Sequence, residues 1–216
     1  MTPPAERGAF GRVMRAGSLA LGYPDPGCRQ HLPLLQAAAG AITGPARTHL
    51  RSFLDEIAGT APGQLQQAYV ETFDLRRRCS PYLTYYSCGD TRKRGMALLQ
   101  FTAAYRAAGF ELAKGAGEAG GELPDHLAVL CEFTAAAPEP GLALFRRHRA
   151  GLELLRTALT EARAPWRHVV DAVRSVLPEP APRDLRRALD LARSGPPAEE
   201  VGLEPFAPPE YMGGRR

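Results

Sequence analysis

The chain is 216 residues long with 44% hydrophobic and 23% charged residues, enough for one well-buried domain. Its 27 basic and 23 acidic side chains leave a formal charge of only +4, which argues against the concentrated field of a nucleic-acid binder. No run approaches the ~20 apolar residues needed to cross a bilayer, and no secretory h-region follows Met1, so a cytoplasmic protein without direct membrane insertion is expected.

Apolar residues recur with helical period along nearly the whole chain, and strict alternation is almost absent. Phe10, Val13, Met14, Gly17 and Leu21 predict a first helix stopped by Gly22 and Pro24. Asp25-Pro26 reads as a cap followed by proline at the first position of a helix carrying Leu32, Leu35 and Ala39. A third helix starts near Pro45, places Leu50, Phe53, Leu54 and Ile57 on one side, and ends at Gly59. Thr60 is the candidate cap of a fourth, with Leu65, Ala68, Tyr69, Thr72 and Phe73.

Ser80-Pro81 restarts the chain as a short tyrosine helix that Gly89 ends. Asp90 or Thr91 caps the next, with Met96, Leu99 and Ala103 on one stripe and Leu98, Phe101 and Tyr105 on a neighbouring one. Lys114 to Gly121 reads as a mobile loop. Beyond it, Leu127, Leu130, Cys131 and Thr134 follow the cap candidates Pro124 and Asp125. One long helix is expected to carry Leu142, Phe145, Leu152, Leu155 and Leu159; Pro165-Trp166 opens another with Val169, Val170, Val173 and Leu177. Arg183 to Ala192 gives the last. The fold class is therefore all-α, roughly eight to ten helices in one domain over residues 1–195, followed by a Pro/Gly-rich extended or disordered tail over 196–216.

Chemistry is sparse. There is no phosphate-binding glycine loop, no zinc-protease motif and no nucleophile elbow. Cys28 and His31 make a lone C-x-x-H without a second half, and Cys79, Cys88 and Cys131 have no paired spacing, so neither a metal nor a resident cofactor is expected. The arginine clusters, Arg76 to Arg78 among them, read first as solvated helix faces and second as phosphate sites. Asp74 is placed to pair with Arg78 four residues on. His126 sits in Glu122-Leu123-Pro124-Asp125-His126; one reading is a helix start with Asp125 at the N-terminus and His126 facing water, the other a polar groove rim.

The informative stretch is Tyr69 to Phe101, YVETFDLRRRCSPYLTYYSCGDTRKRGMALLQF. On a helix Tyr82, Tyr85 and Tyr86 share one face, and so do Tyr69 and Phe73. Phenols flanked by arginines and acids suit a surface that is apolar and wet at once, such as a peptide-binding groove, and equally an ordinary aromatic core.

YVETFDLRRR, YLTYY, GDTRKRGMALLQF, ELPDHL and the late VGLEPF resemble the nitrate reductase molybdenum-cofactor assembly chaperones, the NarJ-type or delta-subunit family. The likeness runs from about residue 10 to residue 177, and ELPDH also resembles the E-x-x-D-H signature of the wider redox-enzyme maturation chaperones. The resemblance implies a non-enzymatic partner of the apo alpha subunit of nitrate reductase. It would bind chiefly the N-terminal segment and hold the subunit for molybdenum-cofactor and iron–sulfur insertion before membrane docking. By that likeness Tyr69, Phe73, Tyr82, Tyr85 and Tyr86 form the groove wall. Asp74, Asp90, Arg92 and Arg94 supply its charges, and Glu122, Asp125 and His126 its rim. Alternatives are a chaperone of another molybdoenzyme, such as a sulfoxide or amine-oxide reductase, and more remotely a small nucleic-acid-binding regulator.

Overall fold

The computed structural model describes residues 4–25, 28–112 and 122–195, and in these residues the chain is helical with no sheet. In chain order the helices are α1 (Pro4–Leu21), α2 (Cys28–Ala41), α3 (Pro45–Ile57), α4 (Pro62–Tyr69), α5 (Tyr85–Cys88), α6 (Arg92–Ala107), α7 (Leu127–Ala136), α8 (Pro138–Arg147), α9 (Arg149–Glu161), α10 (Trp166–Ser175) and α11 (Pro182–Ser194). That is eleven among the described residues, one of them a single turn, against the eight to ten expected. The expected loop at 114–121 and tail at 196–216 lie outside the described residues, as does the side chain of Cys28.

The core forms where α1, α7 and α10 meet, with α3 on the far side of α10 and α9 beneath it. Val13, Met14 and Leu21 of α1 lie against Leu127, Leu130 and Cys131 of α7 and Val169, Val170 and Val173 of α10, all buried. Gly17 belongs to this stripe because nothing larger fits: a Cβ there would stand 2.7 Å from Val173 Cγ2 and 3.3 Å from Cys131 Sγ. Close approach of α1 to its two partners therefore depends on the missing side chain.

The open end of α1 is closed by two aromatic rings. A helix leaves its last carbonyls without partners. Here the Trp166 indole donates to Ala20 O at 3.0 Å, and the Tyr69 hydroxyl donates to Leu21 O at 3.0 Å. Trp166 packs edge to face with Tyr69 and Phe73, centroids 5.4 and 5.3 Å apart, while Tyr69 and Phe73 tilt against each other at 4.6 Å. Edge-on contact of this kind adds to the gain from burying the rings.

Several expectations needed correction. The long helix bearing Leu142 to Leu159 is two helices, α8 and α9, divided at His148, whose φ of −105° and ψ of 20° leave the helical region. The fourth helix begins at Pro62, with the Gln64 side chain accepting from the Ala61 amide at 3.3 Å, so Thr60 is not its cap. After α4 the chain widens into a π-helical turn, Val70–Asp74, closed by Leu75 N to Val70 O at 3.0 Å. The helix stops there, so Asp74 and Arg78 no longer share a face and form no ion pair among the described residues.

Candidate functional site

Pro81 to Thr84 is held by the segment 122–127 rather than by a helix of its own. Leu83 N donates to Asp125 O at 3.1 Å and Leu127 N to Pro81 O at 2.9 Å, an antiparallel bridge pairing Tyr82 with His126. Asp125 Oδ2 accepts from the Thr84 amide at 3.1 Å and from the Thr84 hydroxyl at 2.5 Å. Both residues are fully buried. The Tyr105 hydroxyl adds a bond to Pro124 O at 2.6 Å. The pentad thus clamps the tyrosine segment; it does not form a wet rim.

His126 is buried and caps α7: its Nδ1 accepts from Ala128 N at 3.1 Å. Neither the water-facing nor the rim position expected for it is found. Because Nδ1 accepts, the ring proton sits on Nε2, which points at Glu122 Oε2 from 3.9 Å, too far for a hydrogen bond. Burial lowers the His126 pKa, although Glu122, Asp125 and Asp74 oppose it. Glu122 is instead bonded by the Tyr82 hydroxyl at 2.7 Å. Partial burial first, and the bond to Glu122 second, push the Tyr82 phenol up. Asp74, on the π-helical turn nearby, is raised by partial desolvation and then by the charge of Glu122.

Arg94 crosses the outer face of Tyr82, its guanidinium 5.4 Å from the ring centroid, and bonds Asp90 at 2.9 Å. Asp90 and Arg94 therefore pair at the start of α6, although the buried Arg94 Nε has no hydrogen-bond partner among the described residues, and Arg92 is exposed beside them. The expected shared face of Tyr82, Tyr85 and Tyr86 is not formed. Only Tyr85–Cys88 is helical, Tyr82 lies outside it, and Tyr86 turns inward. The Tyr86 hydroxyl bonds Arg78 O at 2.8 Å and Ser80 O at 2.9 Å, tying the 3-10 turn Arg77–Cys79 to α5. Tyr69 and Phe73 also belong to the core, 4% and 5% exposed, so they support a wall without being its surface.

Tyr82 and Tyr85 are both half-buried, and Tyr85 lines a cleft of about 530 Å³. The cleft runs between the turn Arg77–Cys79 and α5 on one side and α9 and α11 on the other. Leu154 and Ala158 of α9 and Leu191 of α11 give it an apolar floor; Arg77, Arg78, Asp90 and Glu161 charge its edge. Its volume is that of an ordinary ligand cleft. Gly151, which does not itself line the cleft, lets α9 close on the tyrosine segment: a Cβ there would lie 2.7 Å from Leu83 O and 3.2 Å from the Tyr86 ring. Of the expected residues, Tyr85, Tyr86 and Asp90 line this cleft, whereas Tyr82, Glu122, Asp125 and His126 form the clamp behind it. The α9 and α11 residues escaped sequence reasoning because Leu154, Ala158 and Leu191 lie off the apolar stripes that the helical period marks, such as Leu152, Leu155 and Leu159. Arg77 and Arg78 were visible as a cluster but read as a solvated face.

Comparison with known proteins follows this geometry. The model of the family described as nitrate reductase delta subunit matches residues 32–171, which include every expected site residue from Tyr69 to His126. The nitrate reductase-like protein NarX of Mycobacterium tuberculosis (strain ATCC 25618 / H37Rv) is 37% identical over 162 residues, 74% of this chain and 24% of that protein. The probable nitrate reductase molybdenum cofactor assembly chaperone NarJ of Bacillus subtilis is 33% identical over 144 residues, 66% of this chain and 75% of that one. NarJ of Escherichia coli K12, described as a nitrate reductase molybdenum cofactor assembly chaperone, is 33% identical over 125 residues, 56% of this chain and 50% of that one. The chain thus spans about a quarter of the mycobacterial relative and half of the E. coli one. With the family model covering well over half of its length, this chain belongs to the nitrate reductase delta subunit family.

Proposed function

We propose that this protein is a maturation chaperone of nitrate reductase, binding the apo catalytic subunit chiefly through that subunit's N-terminal segment. It would hold the subunit until the molybdenum cofactor and an iron–sulfur cluster are inserted, and so delay membrane docking. On this reading the cofactor and cluster are the client's cargo.

The observation that carries this reading is the cleft beside Tyr85. It combines an aromatic anchor, an apolar floor of Leu154, Ala158 and Leu191, and charges of both signs at its edge. A short amphipathic peptide buries its apolar face on such a floor and aligns its charges with the edge. Behind the cleft, the Asp125–Thr84 clamp fixes the wall, so little ordering is left for binding to drive. Moderate affinity suffices, since a peptide tethered to a second contact on the same client is held at high effective concentration.

The test is calorimetric titration with a synthetic peptide of the N-terminal residues of the nitrate reductase catalytic subunit from the same organism. Binding should weaken by about tenfold or more in Tyr85→Ala, the scale for an aromatic anchor at an interface. No binding, or equal binding by the variant, removes the cleft from the reading. Mass identification of what co-purifies with the chain separates nitrate reductase from another molybdoenzyme.

A further inference from the structure

The cleft has a second candidate occupant within the chain itself. Gly195, with φ of 72°, ends α11 and is also one of the residues lining the cleft. Residues 196–216 therefore leave α11 from the cleft wall and not from a distant surface. Helix α11 also lacks cover: it packs on α9, but on its apolar stripe Leu185 is 44% exposed and Leu189 57%, with only Ala188 buried. A helix this amphipathic with so little buried is a surface awaiting a partner.

The sequence that follows has the chemistry to serve. Glu199 and Glu200 come within five residues of Gly195, and Arg77 and Arg78 stand across the cleft from α11. Leu203, Phe206, Tyr211 and Met212 supply apolar side chains, and Pro196, Pro197, Pro205, Pro208 and Pro209 restrict the backbone, so docking costs less conformational entropy. An extended residue spans about 3.5 Å, so Leu203 reaches up to about 28 Å from Gly195, ample for this cavity.

We propose that residues 196–216 dock into the cleft between α5, α9 and α11 and occupy it until a client peptide displaces them. The competition with client rests on the function proposed above; the docking itself does not. A segment tethered at the cleft edge has an effective concentration on the order of 1 mM. If it binds in trans at about 100 µM, it lowers apparent client affinity by about tenfold.

The experiment compares the full chain with a full-length Leu203→Glu/Phe206→Glu variant, both changes lying outside the described residues. Amide hydrogen exchange over Arg77–Gly89 is measured in each at two protein concentrations. Faster exchange in the variant, by about threefold or more and independent of concentration, is the expected result. Equal exchange overturns the proposal, as does a difference that disappears on dilution, which would mean a second copy fills the cleft. In parallel, both proteins are titrated with the client N-terminal peptide. Should that peptide bind neither while exchange still differs, the client reading fails and the tail docking stands. Should exchange be equal while the peptide binds both alike, the tail docking fails and the client reading stands.

Discussion

Thr84 gives both its amide and its hydroxyl to one carboxylate oxygen of Asp125, across 41 positions of sequence and at zero exposure for both residues. Most of what positions the cleft wall follows from this pair. Replacing Asp125 by alanine leaves two buried donors without an acceptor, and the expected loss is about 2–4 kcal/mol of folding stability. Asp125→Asn retains one acceptor oxygen and should lose less. Urea unfolding decides it: an Asp125→Ala midpoint equal to wild type would mean the clamp is not holding the fold.

Gly151 is the complementary prediction on α9. Its absent side chain lets α9 lie against the Leu83 carbonyl, 2.7 Å from where a Cβ would stand. Gly151→Ala should destabilise by about 1–3 kcal/mol through overpacking, although alanine favours helix. A stabilised Gly151→Ala protein would show that α9 and the tyrosine segment are not in close contact.

Tyr85 and Tyr86 are neighbours in sequence and opposite in role. Tyr86→Phe removes a hydroxyl bonded to two backbone carbonyls, that of Ser80 buried, and should cost about 1–2 kcal/mol in thermal or urea unfolding. Tyr85→Ala, in the cleft lining, should cost the fold less and the client peptide more. If both variants changed stability and binding in the same proportion, the division between support and surface would be wrong.

Acid should unfold the protein partly through its histidines. Burial, then the nearby Arg147 and Arg187, push the His148 pKa down to about 4, below the ordinary value of 6.5. The unfolded chain therefore binds this proton first as pH falls, so stability is complete above about pH 6.5 and is lost progressively toward pH 4. The buried His126 shifts in the same direction, and its protonation would also break the α7 cap. Roughly 3 kcal/mol is at stake for His148 alone. Unfolding of wild type and His148→Leu across pH 4 to 7 isolates it: wild type should fall more steeply, and parallel curves would refute the assignment.

Much of the helical frame could be read from the chain because each stripe meets its partners with the period of one helix. Gly17 in the α1 stripe and Gly89 at the end of α5 are examples, the latter with φ of 57°. What could not be read were events that depend on distant residues. His148 interrupts a pattern that runs on as if unbroken, because both halves bury leucines at helical spacing. The inward turn of Tyr86 and the outward position of Tyr85 depend on α9, whose Gly151 lies far along the sequence. His126 looked like a surface group because a polar pentad usually is one; burial came from its pairing with Tyr82. Arg149 is the same case: it is buried only because Glu153 at 2.7 Å and Pro178 O at 2.8 Å receive it.

Trp166 reaches back 146 positions to hold Ala20. On a ribosome, the opening helix is therefore born without its binding surfaces, since α7 and α10 are translated long after it. Only α2 can pack on it early; the rest of its oily side stays open until α7 and α10 have emerged. A protein with assembly chaperones among its relatives thus passes its own synthesis with an apolar helix face uncovered.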